Sequence, residues 1–119
     1  MSELKYKRIL LKVSGEALGE KTAQGDGFGL DFKKIGEVAS AIKECVDMGV
    51  QVGLVIGGGN FWRGVKNGAG KLQRSHGDAM GMLATVMNAI AVADVLNQHG
   101  VDARVLTAVE MNKFAEYFT

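Results

Sequence analysis

A chain of 119 residues is long enough for one domain with one core. With 47% hydrophobic and 23% charged residues it has an ordinary globular balance, and a formal net charge of +1 gives no electrostatic case for binding nucleic acid or an anionic membrane surface. Cys45 is the single cysteine, which excludes an internal disulfide and fits a reducing, cytoplasmic setting.

Residues 1–5 are polar and are expected to fray. The N-terminal stretch has no long apolar h-region, so no signal peptide is expected, and no segment approaches the roughly 20 apolar residues that a bilayer span needs. KRILLKV at 7–13 predicts the first strand, with Ile9, Leu10 and Leu11 contiguous as in a strand covered on both faces. It runs into Ser14, Gly15 and Glu16, a turn that offers a hydroxyl and an unobstructed backbone. Lys12 stands one residue before the strand's end and has two readings: a snorkelling surface lysine, or an ammonium reaching over the turn. GEKTAQGDGFG at 19–29 is polar and glycine-rich and predicts a mobile loop. Its glycines lack the third position of a dinucleotide fingerprint and do not directly follow a strand.

Asp31 is the expected N-cap of a helix running to about Met48, with Gly49 as its stop. Ile35, Val38, Ala39, Ile42, Cys45 and Val46 recur at helical spacing and define a buried stripe, so Cys45 reads as packing rather than as a nucleophile. VQVGLVIGGGNFWRG at 50–64 follows. The apolar run Val52, Leu54, Val55 and Ile56 predicts a buried strand that stops at three consecutive glycines. Gly57, Gly58 and Gly59 leave peptide N–H groups accessible to a ligand, and Arg63 stands near enough to add a cationic fork for a phosphate. A phosphate site at the end of a central strand is the functional reading; a flexible turn carrying a solvated arginine is the plain one.

Strand, helix, strand in this order is a βαβ unit with parallel strands and a right-handed crossover. Both strand C-termini then lie on one edge of the sheet, so Ser14-Gly15 and Gly57-Gly58-Gly59 meet at one crevice with Lys12 beside it. Residues 65–77 predict a second polar loop. It is not a P-loop: the spacing from Gly64 to Gly70-Lys71 is one residue too long, and Leu72 stands where a hydroxyl should hold magnesium.

Residues 78–98 form the longest helical pattern, with Asp78 as N-cap and Gly100 beyond its end. Met80, Leu83, Met87 and Ile90, together with Met82, Val86 and Val95, make it apolar on most sides. Such a helix is covered by the sheet and by something else, for which a second subunit is the natural candidate. Its methionines read as gap-filling core. Asp78 has a second reading, as a carboxylate beside the crevice that binds a ligand hydroxyl. Residues 101–109 predict a third strand, and 110–119 are left without a partner. His76, placed in the loop, and His99, at the helix end, have no partner at metal-ligand or triad spacing and read as solvated; no metal site is expected.

KRILLKVSGEAL at 7–18, GFGLD at 27–31, QVGLVIGGGNFWRG at 51–64 and GDAMGMLATVMNAIA at 77–91 together resemble the bacterial UMP kinases, the uridylate kinases of the amino-acid kinase superfamily. The pieces cover nearly the whole chain in the family's order, and the GDxMGMLATVMN helix separates this family from other amino-acid kinases. The resemblance implies a three-layer α/β/α sandwich around a mostly parallel sheet, and transfer of the ATP γ-phosphoryl group to UMP, giving UDP, with magnesium. It implies that Lys12, Val13, Ser14, Gly15, Gly59 and Arg63 contact ATP, with Lys12 stabilising charge on the transferring group, and that Gly58 and Asp78 contact UMP. It also implies GTP as activator, through the region matching 19–29, UTP as inhibitor, and a hexamer built from dimers. The 19–29 loop is longer than is common in the family, and Trp62 stands where a phenylalanine is more usual.

The family's chain is longer. The part without counterpart here carries most of the adenine pocket, further UMP contacts, and a second lysine and an aspartate that assist transfer. Residues 1–119 are therefore expected to be the N-terminal, nucleoside-monophosphate-binding half of the domain, an incomplete α/β sandwich that does not phosphorylate UMP alone at a useful rate. Three alternatives stand beside this. One is another member of the superfamily. Another is a dinucleotide-binding dehydrogenase domain, disfavoured because Trp62 occupies the third fingerprint position after Gly57 and Gly59. The last is a non-catalytic, self-associating module built on the apolar helix after Asp78.

Overall fold

A computed structural model describes residues 8–22, 25–61, 73–107 and 116–117. The elements run β1 (Arg8–Val13), a 3₁₀ turn (Gly15–Leu18), β2 (Glu20–Thr22), β3 (Gly25–Phe28), α1 (Phe32–Asp47), β4 (Gln51–Ile56), α2 (Arg74–Gln98), β5 (Leu106–Thr107) and β6 (Glu116–Tyr117). The architecture is α/β, as the sequence indicates.

β1 and β4 pair in parallel, in register from Arg8 opposite Gln51 to Val13 opposite Ile56, with α1 as the crossover between them. Alternation along the strands sorts the side chains onto two faces. Val13, Val52, Leu54 and Ile56 pack against the core cluster of Leu18, Ile35, Ala39, Ile42, Val92, Leu96 and Val101, drawn from the 3₁₀ turn, both helices and the start of the last segment. The other face carries Leu10, Lys12 and Val55 in register. Leu10 is 73% and Val55 50% exposed, so among the described residues these strands are covered on one face only, where the contiguous apolar runs predicted two.

α1 begins where Asp31 caps it: the carboxylate accepts from the backbone N–H of Lys33 at 3.0 Å and of Lys34 at 3.4 Å. Its stripe of Ile35, Ala39 and Ile42 is buried, with Val38 and Val46 packed beside it and Cys45 partly buried. It ends at Gly49, whose φ of 86° lets Gly49 N–H reach Val46 O and Val50 N–H reach Cys45 O. This pairing satisfies two carbonyls of the last turn. α2 ends the same way at Gly100, with Val101 N–H on Leu96 O and both side chains in the core.

Several expectations are corrected. The 19–29 segment is not simply a mobile loop: β2 and β3 pair antiparallel, with Glu20 opposite Phe28 and an irregularity before Thr22–Gly25. It is held at both ends, since Asp31 N–H donates to Leu18 O and Lys34 Nζ to Gly19 O. α2 starts a turn earlier than its charge pattern predicts. Gln73 is the N-cap, without a side-chain cap bond, and both His76 and Gly77 N–H groups donate to its carbonyl. His76 is therefore helical, and Asp78 is an exposed residue of the second turn rather than a cap. Among the described residues the third strand covers Leu106–Thr107 and not 101–105, and it pairs in parallel with Glu116–Tyr117, so that part of the 110–119 segment does have a partner.

The methionines of α2 are not core: Met80, Met82 and Met87 are 41%, 40% and 50% exposed, alongside Leu83 at 49% and Ile90 at 38%. Moreover, α2 is by length and composition apolar enough to cross a bilayer, with a mean hydropathy of 1.7 over its best 18-residue window, contrary to the sequence expectation. The reason is its inventory of alanine, methionine and valine with few charges, which passes that test without one long run of large apolar side chains. The expectations for residues 1–7, for the 65–72 part of the second loop, and for Trp62 and Arg63 lie outside the described residues.

Candidate functional site

The site forms at the C-terminal edge of the β1–β4 pair. Gly57 N–H donates to Val13 O at 2.9 Å, carrying the parallel ladder one step past the strand ends and setting the two turns side by side. There they touch. A Cβ on Gly15 would lie 2.6 Å from Gly59 N, 2.6 Å from Asn60 Oδ1 and 2.8 Å from Gly57 O. Only a glycine at 15 allows this approach, so the spatial convergence inferred from the βαβ order is present.

Behind the glycines stands α2. A Cβ on Gly58 would meet Ala84 Cβ at 2.8 Å, and Gly81 O and Thr85 N at 3.1 Å. Gly81, Ala84 and Asn88 follow one another at three- and four-residue steps, so they make a narrow face of α2 against which the loop lies. The turn after the glycines closes with Phe61 N–H on Gly58 O at 3.0 Å.

Two fully buried side chains hold this arrangement, Asn60 at 1% exposure and Asn88 at 0%. Their amides pair reciprocally: Asn60 Nδ2 donates to Asn88 Oδ1 at 2.9 Å, and Asn88 Nδ2 donates to Asn60 Oδ1 at 2.6 Å. The second N–H of Asn88 reaches Gly57 O at 2.7 Å, and that of Asn60 reaches Gly29 O at 2.6 Å. Gly29 N–H in turn donates to Asn60 O at 2.9 Å, and Gly29 sits at a φ of 68° to allow it. Thus α2, the glycine loop and the exit of the β2–β3 ribbon are tied at one point. Asn88 escaped the sequence reading. The signal was there: one amide inside the apolar run MNAIAV, in phase with Gly81 and Ala84.

A family model described as the amino acid kinase family matches residues 7–117. The chain belongs to the amino acid kinase family. Among solved structures, the UMP kinase of Bacillus anthracis is similar at 35% identity with a TM-score of 0.85, over 96% of this chain and 46% of that one. The UMP kinase of Ureaplasma parvum is similar at 32% identity with a TM-score of 0.83, over 98% of this chain and 47% of that one. This chain thus spans about half the length of the solved kinases it matches.

For this amino acid kinase chain, the residues singled out by sequence fall in four places. Val13, Ser14, Gly15, Gly58 and Gly59 gather at the sheet edge. Ser14 caps the 3₁₀ turn, its Oγ accepting from Ala17 N–H at 3.3 Å. Lys12 lies exposed on the uncovered face of the sheet, beside Val55, with no ion pair among the described residues. Asp78 is exposed on α2, three residues before Gly81 and so about 4.5 Å along the axis from the turn that touches Gly58. Arg63 lies outside the described residues. No group of three or more metal-ligating side chains occurs among the described residues.

Proposed function

We propose that this chain supplies the N-terminal, nucleotide-binding half of a kinase that transfers the γ-phosphoryl group of ATP to UMP. The contact between Gly15 and the Gly57–Gly59 loop at one sheet edge, in a chain at least 32% identical to two UMP kinases, is the observation that carries this reading. In it, Lys12, Val13, Ser14, Gly15, Gly59 and Arg63 bind the phosphates of ATP, while Gly58 and Asp78 bind UMP. Magnesium enters with ATP as part of the substrate.

Phosphoryl transfer needs positioning and charge stabilisation more than covalent chemistry. Backbone at two abutting glycine turns lets phosphate oxygens come close, because no Cβ intervenes. A lysine beside that edge adds a compact positive charge for the transferring group. The rest of the transfer machinery belongs to the half of the fold that this chain does not span. The 119-residue chain alone therefore binds nucleotide weakly and turns over UMP negligibly; GTP activation and UTP inhibition belong to the assembled enzyme. Calorimetric titration with UMP and with ATP–magnesium, beside a coupled UDP assay, tests this. Family-like turnover by the isolated chain, or tight NAD binding with no response to UMP, refutes it.

A second reading, a self-associating module, draws on the outer stripe of α2, where Met80, Leu83, Met87 and Ile90 stand exposed at helical spacing. The two readings are compatible in an oligomeric kinase. Sedimentation with and without nucleotide separates them, since a pure association module is indifferent to UMP.

A further inference from the structure

We propose that Asn60 and Asn88 act together as an amide clasp that fixes the conformation of the glycine loop, and that nucleotide affinity depends on this clasp. Neither residue is among those assigned to ATP or UMP. The proposal rests on the nucleotide-site reading above for its functional half, and on geometry alone for its structural half.

Three glycines in succession confer the widest backbone freedom available, and a loop free to sample many conformations binds phosphate poorly. Something must select one. In this molecule side-chain amides take part in that selection, beside the close packing of Gly58 on α2. Asn88 Nδ2 holds the carbonyl of Gly57 at 2.7 Å, which orients the peptide joining Gly57 to Gly58. Asn60 is the residue that ends the loop, and its amide is locked to Asn88 by two bonds of 2.9 and 2.6 Å. The loop is therefore pinned at both ends to one residue of α2. Its remaining N–H, on Gly29 O at 2.6 Å, adds the β2–β3 ribbon to the same clasp.

Each amide uses both N–H groups and its carbonyl oxygen, so the pair is satisfied on its donor side with no exposure to water. Removal of either member leaves the other buried with two lost bonds. Because Asn60 Oδ1 also lies 2.6 Å from where a Cβ of Gly15 would stand, the clasp forms part of the wall between the two turns. These are positioning residues: they act on ligand through the backbone they hold.

The experiment compares the full chain with Asn88→Ala, Asn60→Ala and the double variant, and with Ile42→Val, a core substitution on α1 away from the loop. All are measured well below their melting temperatures, with native circular dichroism as the condition for inclusion. Two readouts are taken: UMP and ATP–magnesium affinity by calorimetry, and hydrogen exchange of the Gly29 and Phe61 amides. Both Asn variants are expected to lose at least tenfold in affinity and to exchange these amides at least tenfold faster. The double variant should lose little more than either single one, because the pair works as a unit. Ile42→Val should stay within twofold on both readouts. Folded Asn variants with wild-type affinity and exchange overturn the clasp, as do losses that Ile42→Val reproduces or that add fully in the double variant. If the wild-type chain binds neither nucleotide, the functional reading fails, and the exchange data alone then decide the structural half.

Discussion

Glycine to alanine at positions 15 and 36 should change stability in opposite directions. Gly36 lies within α1 with nothing within 4 Å of the place a methyl would occupy, so alanine there gains helix propensity at no steric cost. The expected gain is about 0.5–1 kcal/mol. Gly15 opens a 3₁₀ turn with three polar atoms within 2.8 Å of the same methyl position, all on the neighbouring glycine loop or its asparagine. Two of these are backbone atoms of a loop already bonded to Val13 O and to Asn88, so the turns must separate by several tenths of an ångström. Overpacking of this kind costs about 1–3 kcal/mol, only partly offset by the smaller entropy of the unfolded chain. The gap between the two variants is then about 1.5–3 kcal/mol, or roughly 5–10 °C in melting temperature for a domain of this size. Thermal melts followed at 222 nm, with urea melts for the free-energy scale, measure it. If Gly15→Ala melts as high as Gly36→Ala, the turns do not abut, and the shared crevice on which the functional reading stands is absent.

Gly58→Ala should destabilise by about 1–3 kcal/mol through its clash with Ala84 and the α2 backbone, and Ala84→Gly in the same chain should recover part of the loss in a double-mutant cycle. Asp31→Ala should cost about 1 kcal/mol by removing the cap of α1, read as a lower urea midpoint with an unchanged slope. Leu83→Lys with Met87→Lys, both on exposed positions of α2, should leave the stability of the monomer within about 0.5 kcal/mol of its starting value while abolishing any self-association seen by sedimentation.

The βαβ core was legible because its signals agree at every level. Asp31 and Gly49 punctuate a helix whose apolar stripe has one phase, and two short apolar runs flank it, so parallel pairing and a common ligand edge follow. The start of α2 was not legible, because Asp78 looks like a better cap than Gln73 and Gly77 looks like a breaker. In the fold Gly77 is a buried residue within the first turn of the helix. The β2–β3 ribbon was missed for a related reason. Its sequence, with glycine at every second position from 25 to 29, has few apolar side chains to signal alternation, so its pairing is visible only in the backbone. The clasp was not legible: Asn60 stands directly behind the glycines with nothing in the sequence to pair it, and Asn88 was submerged in a helix read for its methionines.

The same helix explains why its composition misleads. In an ordinary surface helix the large apolar residues point inward and the polar ones outward. In α2 the N-terminal half inverts this. Glycine, alanine and asparagine face the loop, because only small side chains admit the glycine backbone and only an amide can hold its carbonyl. The large residues Met80, Leu83, Met87 and Ile90 are thereby forced onto the outer side, at spacings of three, four and three residues. These four side chains are already half-buried, so covering the rest is worth roughly half of the about 1.5–3 kcal/mol of full burial for each, several kcal/mol together. The loop geometry and the exposed stripe are thus two consequences of one constraint. A helix that must present its small face to a glycine loop has its apolar mass left for another surface to cover.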